Sequence, residues 1–180
     1  LPPAHKEEAD QGGEVKSHTW AVIHSSANQC WRTPLELFNK LNEEFGFTLD
    51  AAAQEDSALL PSWFGPDHSD PARRDALSNR WRGVVWCNPP YGRTVGKWVE
   101  KAALEAELGA TVVMLVMANT DTTYFHDHAL KAEEIRFIRG RVRFLRHDGT
   151  KANAAPKGSM LLIFKPHTGE GYPALTPFVY

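Results

Sequence analysis

No stretch of this 180-residue chain approaches the roughly 20 consecutive apolar residues that a membrane-spanning helix needs. Cysteine is scarce, with only Cys30 and Cys87. Cys87 ends an apolar run and reads as a small buried hydrophobe. A disulfide framework is therefore not expected, and a reducing cytoplasm fits. The opening residues are polar and Pro-containing and do not read as a secretory signal. No internal repeat or low-complexity segment is present, which excludes a repeat array. Large net charge is absent too. The balance is -2, so there is no global attraction to nucleic acid, and any such surface must be local. His126-Asp127-His128 has metal-ligand residue types but reads as a surface loop or helix start.

What is present is ordinary for a soluble globular protein, with 42% hydrophobic and 23% charged residues. The length suits one domain with a proper core. Residues 1–24 carry Pro2-Pro3, Gly12-Gly13 and mixed charges and read as a flexible N-terminal arm. Residues 25–180 read as the folded domain. Thr33-Pro34-Leu35-Glu36 predicts a helix start, with Thr33 as cap, Pro34 at the first helical position and Glu36 completing a capping box. Leu35, Leu37, Phe38, Leu41 and Phe45 follow at helical spacing, and Gly46 ends the helix. Phe47-Thr48-Leu49 predicts a short strand, residues 54 to about 82 a loop-rich stretch, and Val84–Cys87 a buried strand. Residues 94–108 predict a helix, Thr111–Met117 a central parallel strand, and residues 122–131 a short helix. Ile135–Ile138, Val142–Leu145 and Met160–Phe164 predict further strands. Strands alternating with helices, then a hairpin-like tail, point to an open α/β sheet.

Asn88-Pro89-Pro90-Tyr91 dominates the functional reading. Two prolines after a strand fix φ, remove two backbone donors and push their preceding residues to extended conformations. Asn88 thus projects an amide beside carbonyls that lack a local N–H partner. Such acceptors suit the two hydrogens of a planar exocyclic amine, and Tyr91 adds a face on which a base can stack. A plain Asn-Pro turn is the alternative. In open α/β sheets ligands bind at the carboxyl ends of strands. Two more loops belong there by position. Asp50-Ala51-Ala52-Ala53 offers a carboxylate and close backbone approach, or is a plain turn. Asp75-Ala76-Leu77 offers an acceptor for an amino group, or only a solvated loop.

At these residues the chain resembles the phage-type, Dam-like DNA N6-adenine methyltransferases. The resemblance runs from about Ser25 to about Lys165. It is carried by Trp31-Arg32-Thr33-Pro34, by Phe45 to Ala52, and most specifically by Trp81 through Arg93. Lys97 to Ala102, Asp121-Thr122 and Ile138 to Phe144 follow in the family's order. The resemblance implies a Rossmann-like methyltransferase fold, here expected as a compact three-layer sandwich with a C-terminal β-hairpin. It implies S-adenosylmethionine as cofactor, DNA as partner, no membrane and no metal. A phage or prophage origin and a cytoplasmic location in a bacterial host go with it. Trp31, Thr33 and Pro34 would flank the methionine end of the cofactor. Asp50, Ala51 and Ala52 stand where the cofactor loop lies, although the family's Phe-x-Gly-x-Gly is absent. Asp75 matches the acid facing the cofactor adenine, and Asp56 is a candidate for the ribose. Asn88 borders cofactor and target alike.

The implied chemistry uses Asn88, Pro89, Pro90 and Tyr91. The Asn88 side-chain oxygen and the Pro89 carbonyl would bind the two hydrogens of an adenine amine flipped out of the duplex and stacked on Tyr91. Those bonds strengthen as charge develops on nitrogen. Arg136, Arg139, Arg141, Arg143, Arg146, Lys151 and Lys157 crowd one stretch offset only by Asp148. Arg141 and Arg143 alternate with Val142 and Phe144 and would share one strand face. Phosphate contact by Arg139, Arg141 and Arg143, with Arg93 near the turn, is one use; a solvated, charge-protected sheet edge is the other. Methylation of cytosine N4 or a protein glutamine, and a non-catalytic DNA-binding module, remain as alternative functions.

Overall fold

The computed structural model describes residues 31–146, 149–150, 154–166 and 174–180. The arm expected over residues 1–24 lies outside them, as do Cys30, Asp148 and Lys151. One mixed sheet of six strands organises the described residues. These are β1 (Leu49–Asp50), β2 (Val84–Cys87), β3 (Thr111–Met117), β4 (Glu134–Ile138), β5 (Ser159–Phe164) and β6 (Ala174–Phe178). Their order across the sheet is β1-β2-β3-β5-β4-β6. Strands β1, β2 and β3 are parallel, β5 runs antiparallel to both β3 and β4, and β6 is parallel to β4. The helices are α1 (Leu35–Phe45), α2 (Val95–Glu107) and α3 (Thr123–Asp127), with 3-10 turns at Pro71–Arg73 and Ala129–Lys131.

The period of two along each strand splits the core between the two faces. Val112, Met114 and Val116 of β3 join Val99, Ala102, Ala103 and Ala106 of α2 in one cluster. Val113 and Leu115 join Leu37, Phe38 and Leu41 of α1 in the other. Helices therefore cover both faces, which is why β3 and β5 read as unbroken apolar runs. All six residues of β5 are buried.

Helix α1 begins at Leu35, and Pro34 is its extended N-cap residue (φ -60°, ψ 131°) with no side-chain capping bond. The expected capping box is thus not formed. The Thr33 hydroxyl is engaged elsewhere, as shown below. The helix ends at Gly46, where the Asn42 side chain accepts from Phe47 N–H at 2.8 Å. The stretch expected as one helix over residues 122–131 is a short helix followed by a separate 3-10 turn.

Two corrections concern strands. Val142–Leu145 is not a strand, so it forms no part of the antiparallel C-terminal pair. After β4 the chain turns at Gly140, whose φ of 86° favours glycine, and residues 141–144 run outside the sheet. Only Leu145 pairs, by a two-bond antiparallel bridge to Arg32. Strand β4 pairs instead with β5 and β6. The second correction lies in the loop-rich stretch. Ser62–Phe64 runs parallel to β1, with Asp50 N–H donating to Ser62 O at 3.0 Å and Phe64 N–H to Asp50 O at 2.9 Å. That irregular segment extends the sheet edge beyond β1 and walls the cavity described next.

Helix α2 also carries a fully buried acid, Glu105. Its carboxylate meets Arg80 at 2.9 Å and Lys101 at 2.6 Å, which ties the segment leading into β2 onto the helix.

Candidate active site

The parallel strands β1 and β2 end side by side, with Asp50 opposite Trp86. Just beyond their carboxyl ends lies a cavity of about 300 Å³. Its size falls at the lower end of small-ligand pockets, roughly 300–1,000 Å³. Among the candidate residues, Trp31, Thr33, Asp50, Ala52, Asp75, Asn88 and Pro90 line it. Pro34, Ala51, Asp56, Pro89 and Tyr91 are not part of its wall. Ala51 is packed in the core, and Asp56 is ion-paired with Arg32.

Asp50 is the buried acid of this cavity, 3% exposed. Its two oxygens accept from Leu59 N–H at 3.1 Å and Ala52 N–H at 3.3 Å. Burial outweighs these bonds and raises its pKa from 3.8 to about 6. A cation entering the cavity would favour the ionised form. Asp75 contrasts with it. Exposed at the cavity wall, it accepts from the Ser78 hydroxyl and from Leu77 and Ser78 N–H. The Ser78 hydroxyl chiefly holds this carboxyl below its ordinary range.

Apolar and aromatic side chains fill the remaining wall, among them Leu59, Phe64, Leu77, Trp86 and Trp98. Gly65 closes it where no side chain fits. A Cβ there would stand 1.9 Å from the Ala53 carbonyl oxygen. Sequence reasoning missed Phe64, Gly65 and Trp98. Phe64 and Gly65 sit in the irregular stretch before β2, and Trp98 read as an ordinary member of a helical apolar stripe.

Asn88 stands at the cavity rim, immediately after β2. Its amide nitrogen donates to the Trp31 carbonyl at 2.7 Å and to the Thr33 hydroxyl oxygen at 3.1 Å. Its amide oxygen accepts from the Tyr91 hydroxyl at 3.1 Å, and that hydroxyl also reaches the Leu115 carbonyl at 3.3 Å. Burial pushes the Tyr91 pKa up, so the hydroxyl stays a donor. The Tyr91 ring packs edge-on against Trp31 at 6.0 Å and Phe144 at 5.7 Å. Cys87, one residue earlier, is buried and free, and burial raises its thiol pKa well above the usual value.

The basic stretch lies beside this turn. Phe144 touches both Trp31 and Tyr91, and Leu145 pairs with Arg32, a residue of the cavity wall. Arg139, Arg141 and Arg143 are exposed while Val142 and Phe144 are buried. The expected alternation thus holds without a strand. Arg141 spends one guanidinium N–H on the Ala155 carbonyl at 2.8 Å. Arg136 does not belong to an exposed patch. It is clamped between Glu44 at 2.6 Å and Glu134 at 2.9 Å. Arg93 is exposed just after the Asn-Pro-Pro-Tyr turn. Among the described residues, no group of three or more His, Cys, Asp or Glu side chains is placed to hold a metal ion, and no helix is long and apolar enough to cross a membrane.

The cavity at the strand ends thus holds a buried carboxylate, with the Asn88 amide at its rim. The family described as DNA N-6-adenine-methyltransferase (Dam) matches residues 21–176. The chain belongs to this family of DNA N6-adenine methyltransferases. No curated protein matches it.

Proposed function

We propose that the protein transfers a methyl group from S-adenosylmethionine to the N6 amine of an adenine flipped out of DNA, on a Rossmann-like fold. The observation that carries this reading is the Asn88 amide. Its nitrogen end is committed to two acceptors, so its oxygen end is presented as an acceptor at the rim of the cavity.

The residues present suit the cofactor. Asp50 is a buried carboxylate for an ammonium or hydroxyl, Asp75 an ionised acceptor for an adenine amine, and the aromatic and aliphatic wall suits a nucleoside. Trp31 and Thr33 border the same space. If bound there, S-adenosylmethionine would supply an electrophilic methyl carbon, its C–S bond breaking as the C–N bond forms, with S-adenosylhomocysteine as leaving group and one amine proton released to solvent. The protein's task is to make a delocalised aryl amine nucleophilic. Asn88 Oδ1 accepts one amine hydrogen; a carbonyl oxygen has a second lone pair after the Tyr91 bond. The Pro89 carbonyl takes the other hydrogen. Both bonds strengthen as positive charge grows on nitrogen, which favours the transition state over the ground state. The exposed part of the Tyr91 ring receives the base. Arg93, Arg139, Arg141 and Arg143 hold phosphates around the opening.

The test is single-turnover methylation of unmethylated genomic duplex DNA, read as N6-methyladenine by mass spectrometry, alongside calorimetry of S-adenosylmethionine binding. Asn88→Ala should slow transfer by about a hundredfold or more while cofactor affinity stays near that of the unaltered protein. Near-normal transfer by this variant would sink the role given to Asn88.

A further inference from the structure

We propose that Thr33 and the Trp31 main chain form an amide lock, which makes Thr33 a positioning residue for methyl transfer through Asn88. The inference rests on the reading of Asn88 as acceptor of the target amine. It gives Thr33 a task beyond bordering the cofactor cavity, and in place of capping helix α1.

A carboxamide is nearly symmetrical in shape, and its two ends differ only in hydrogen bonding. At the end of β2 the chain must therefore specify which end faces the target. The Trp31 carbonyl can only accept, and it lies 2.7 Å from Asn88 Nδ2. Turning the amide over would set two carbonyl oxygens against each other at that distance. The Thr33 oxygen, 3.1 Å away, takes the second amide hydrogen. On the other side the Tyr91 hydroxyl donates to Oδ1. The Trp31 carbonyl thus sets the orientation, and the Thr33 and Tyr91 hydroxyls, each able to donate or accept, complete the hydrogen bonds of the amide so set.

Thr33 is suited to this by its surroundings. It is 5% exposed, so water does not readily replace it. It is free of helix duty because Pro34 stands at the N-cap position without a side-chain bond. Its neighbour Arg32 is pinned on both sides, through the backbone to Leu145 and through its guanidinium to Asp56. The acceptor is therefore held on a segment fixed at a second point. An oriented acceptor selects a ring that bears an amine and rejects one that bears a carbonyl at the same place, since two acceptors cannot pair. The lock thus bears on which base reacts as well as on how fast.

Thr33→Val keeps the shape of the side chain and removes the acceptor, and Thr33→Ser keeps the acceptor and removes the methyl. Single-turnover transfer to unmethylated genomic duplex DNA is measured for both, with S-adenosylmethionine affinity by calorimetry and thermal melting as a check on folding. With the Trp31 carbonyl still in place, Thr33→Val should slow the transfer step by about tenfold at saturating DNA. That loss should exceed any loss of cofactor affinity, and Thr33→Ser should recover most of the rate. Should the valine variant fail to fold, Thr33→Ala carries the same comparison. An unchanged rate in Thr33→Val overturns the lock. So does a loss of rate matched by an equal loss of cofactor affinity, which would place Thr33 on the cofactor, or a serine variant no faster than valine. If the unaltered protein methylates no adenine, the reading of the site fails and the lock falls with it. If it methylates adenine and Thr33→Val does so equally well, only the lock fails.

Discussion

Replacing Asp50 by asparagine should change the stability of this protein in a way that depends on pH, with a predictable sign. The carboxyl is 3% exposed, and its bonds to Leu59 and Ala52 N–H do not compensate for lost hydration. Its pKa rises from 3.8 to about 6. Between those values the folded protein keeps a proton that the unfolded chain has released. Stability from this group therefore falls as pH rises through that window, and the cost is complete above about pH 6. At about 1.36 kcal/mol per pH unit, the ionised carboxylate costs about 3 kcal/mol at neutral pH. Asparagine is neutral throughout and escapes that cost, but it turns an amide N–H towards Leu59 or Ala52 and loses roughly 1–3 kcal/mol at every pH. The constant offset cancels when variant and unaltered protein are compared at two pH values. Their difference in unfolding free energy should shift in favour of Asp50→Asn by roughly 2–2.5 kcal/mol between about pH 4 and about pH 7.5, since a small part of the cost is already present at about pH 4. Urea denaturation of both proteins without cofactor measures it. A difference that stays flat across that range would refute the account of Asp50 as a strained, buried carboxylate. The same proton competes with a cationic ligand, so S-adenosylmethionine affinity should weaken by up to about tenfold per unit below about pH 6, and this slope should vanish in Asp50→Asn.

Other consequences are equally direct. Arg139→Ala and Arg143→Ala should each weaken binding to all duplexes and lower the salt slope by about one unit, measured by fluorescence anisotropy. An unchanged slope would leave these residues as solvated surface. Gly65→Ala forces a Cβ to 1.9 Å from a backbone oxygen. It should cost at least about 1–3 kcal/mol and weaken cofactor binding, and a urea midpoint equal to the parent's would contradict the close approach. Glu105→Ala leaves Lys101, whose side chain is 12% exposed, buried without its partner. A loss of about 3–5 kcal/mol is expected in denaturant melts, and a loss well under about 1 kcal/mol would show that Lys101 finds water.

The readily legible parts were those where local pattern and tertiary role coincide. Leu37, Phe38 and Leu41 repeat at helical spacing and are the residues α1 buries. The apolar run of Thr111–Met117 is the strand covered on both faces, although it is parallel to β2 only and antiparallel to β5. The Asn88 turn was legible because two prolines leave the backbone few options. Patterns that fix burial without fixing a partner misled. Val142 and Phe144 alternate with arginines and are buried, yet residues 141–144 pair with no strand. Thr33-Pro34 has the chemistry of a helix cap, but a hydroxyl that can cap can equally accept from an amide 55 residues away. Ser62–Phe64 was illegible for the opposite reason. Its pairing with β1 is made by backbone groups alone, which leave no pattern in side-chain type.

The strand order sets a timetable. Strand β4 is made before β5, yet in the sheet β5 lies between β3 and β4. Until residues 159–164 arrive, β4 has no neighbour on either side, because its other partner, β6, comes later still. The half of the sheet built from β1, β2 and β3, with the cavity at its edge, can close on contacts already in hand. The Leu145 bridge to Arg32 requires β4 and the following segment to come back to the α1 side. The keystone is therefore β5, inserted between two parts made before it. A chain interrupted ahead of it would expose both the open flank of β3 and an unpartnered β4, two adhesive edges whose proper cover is a strand not yet synthesised.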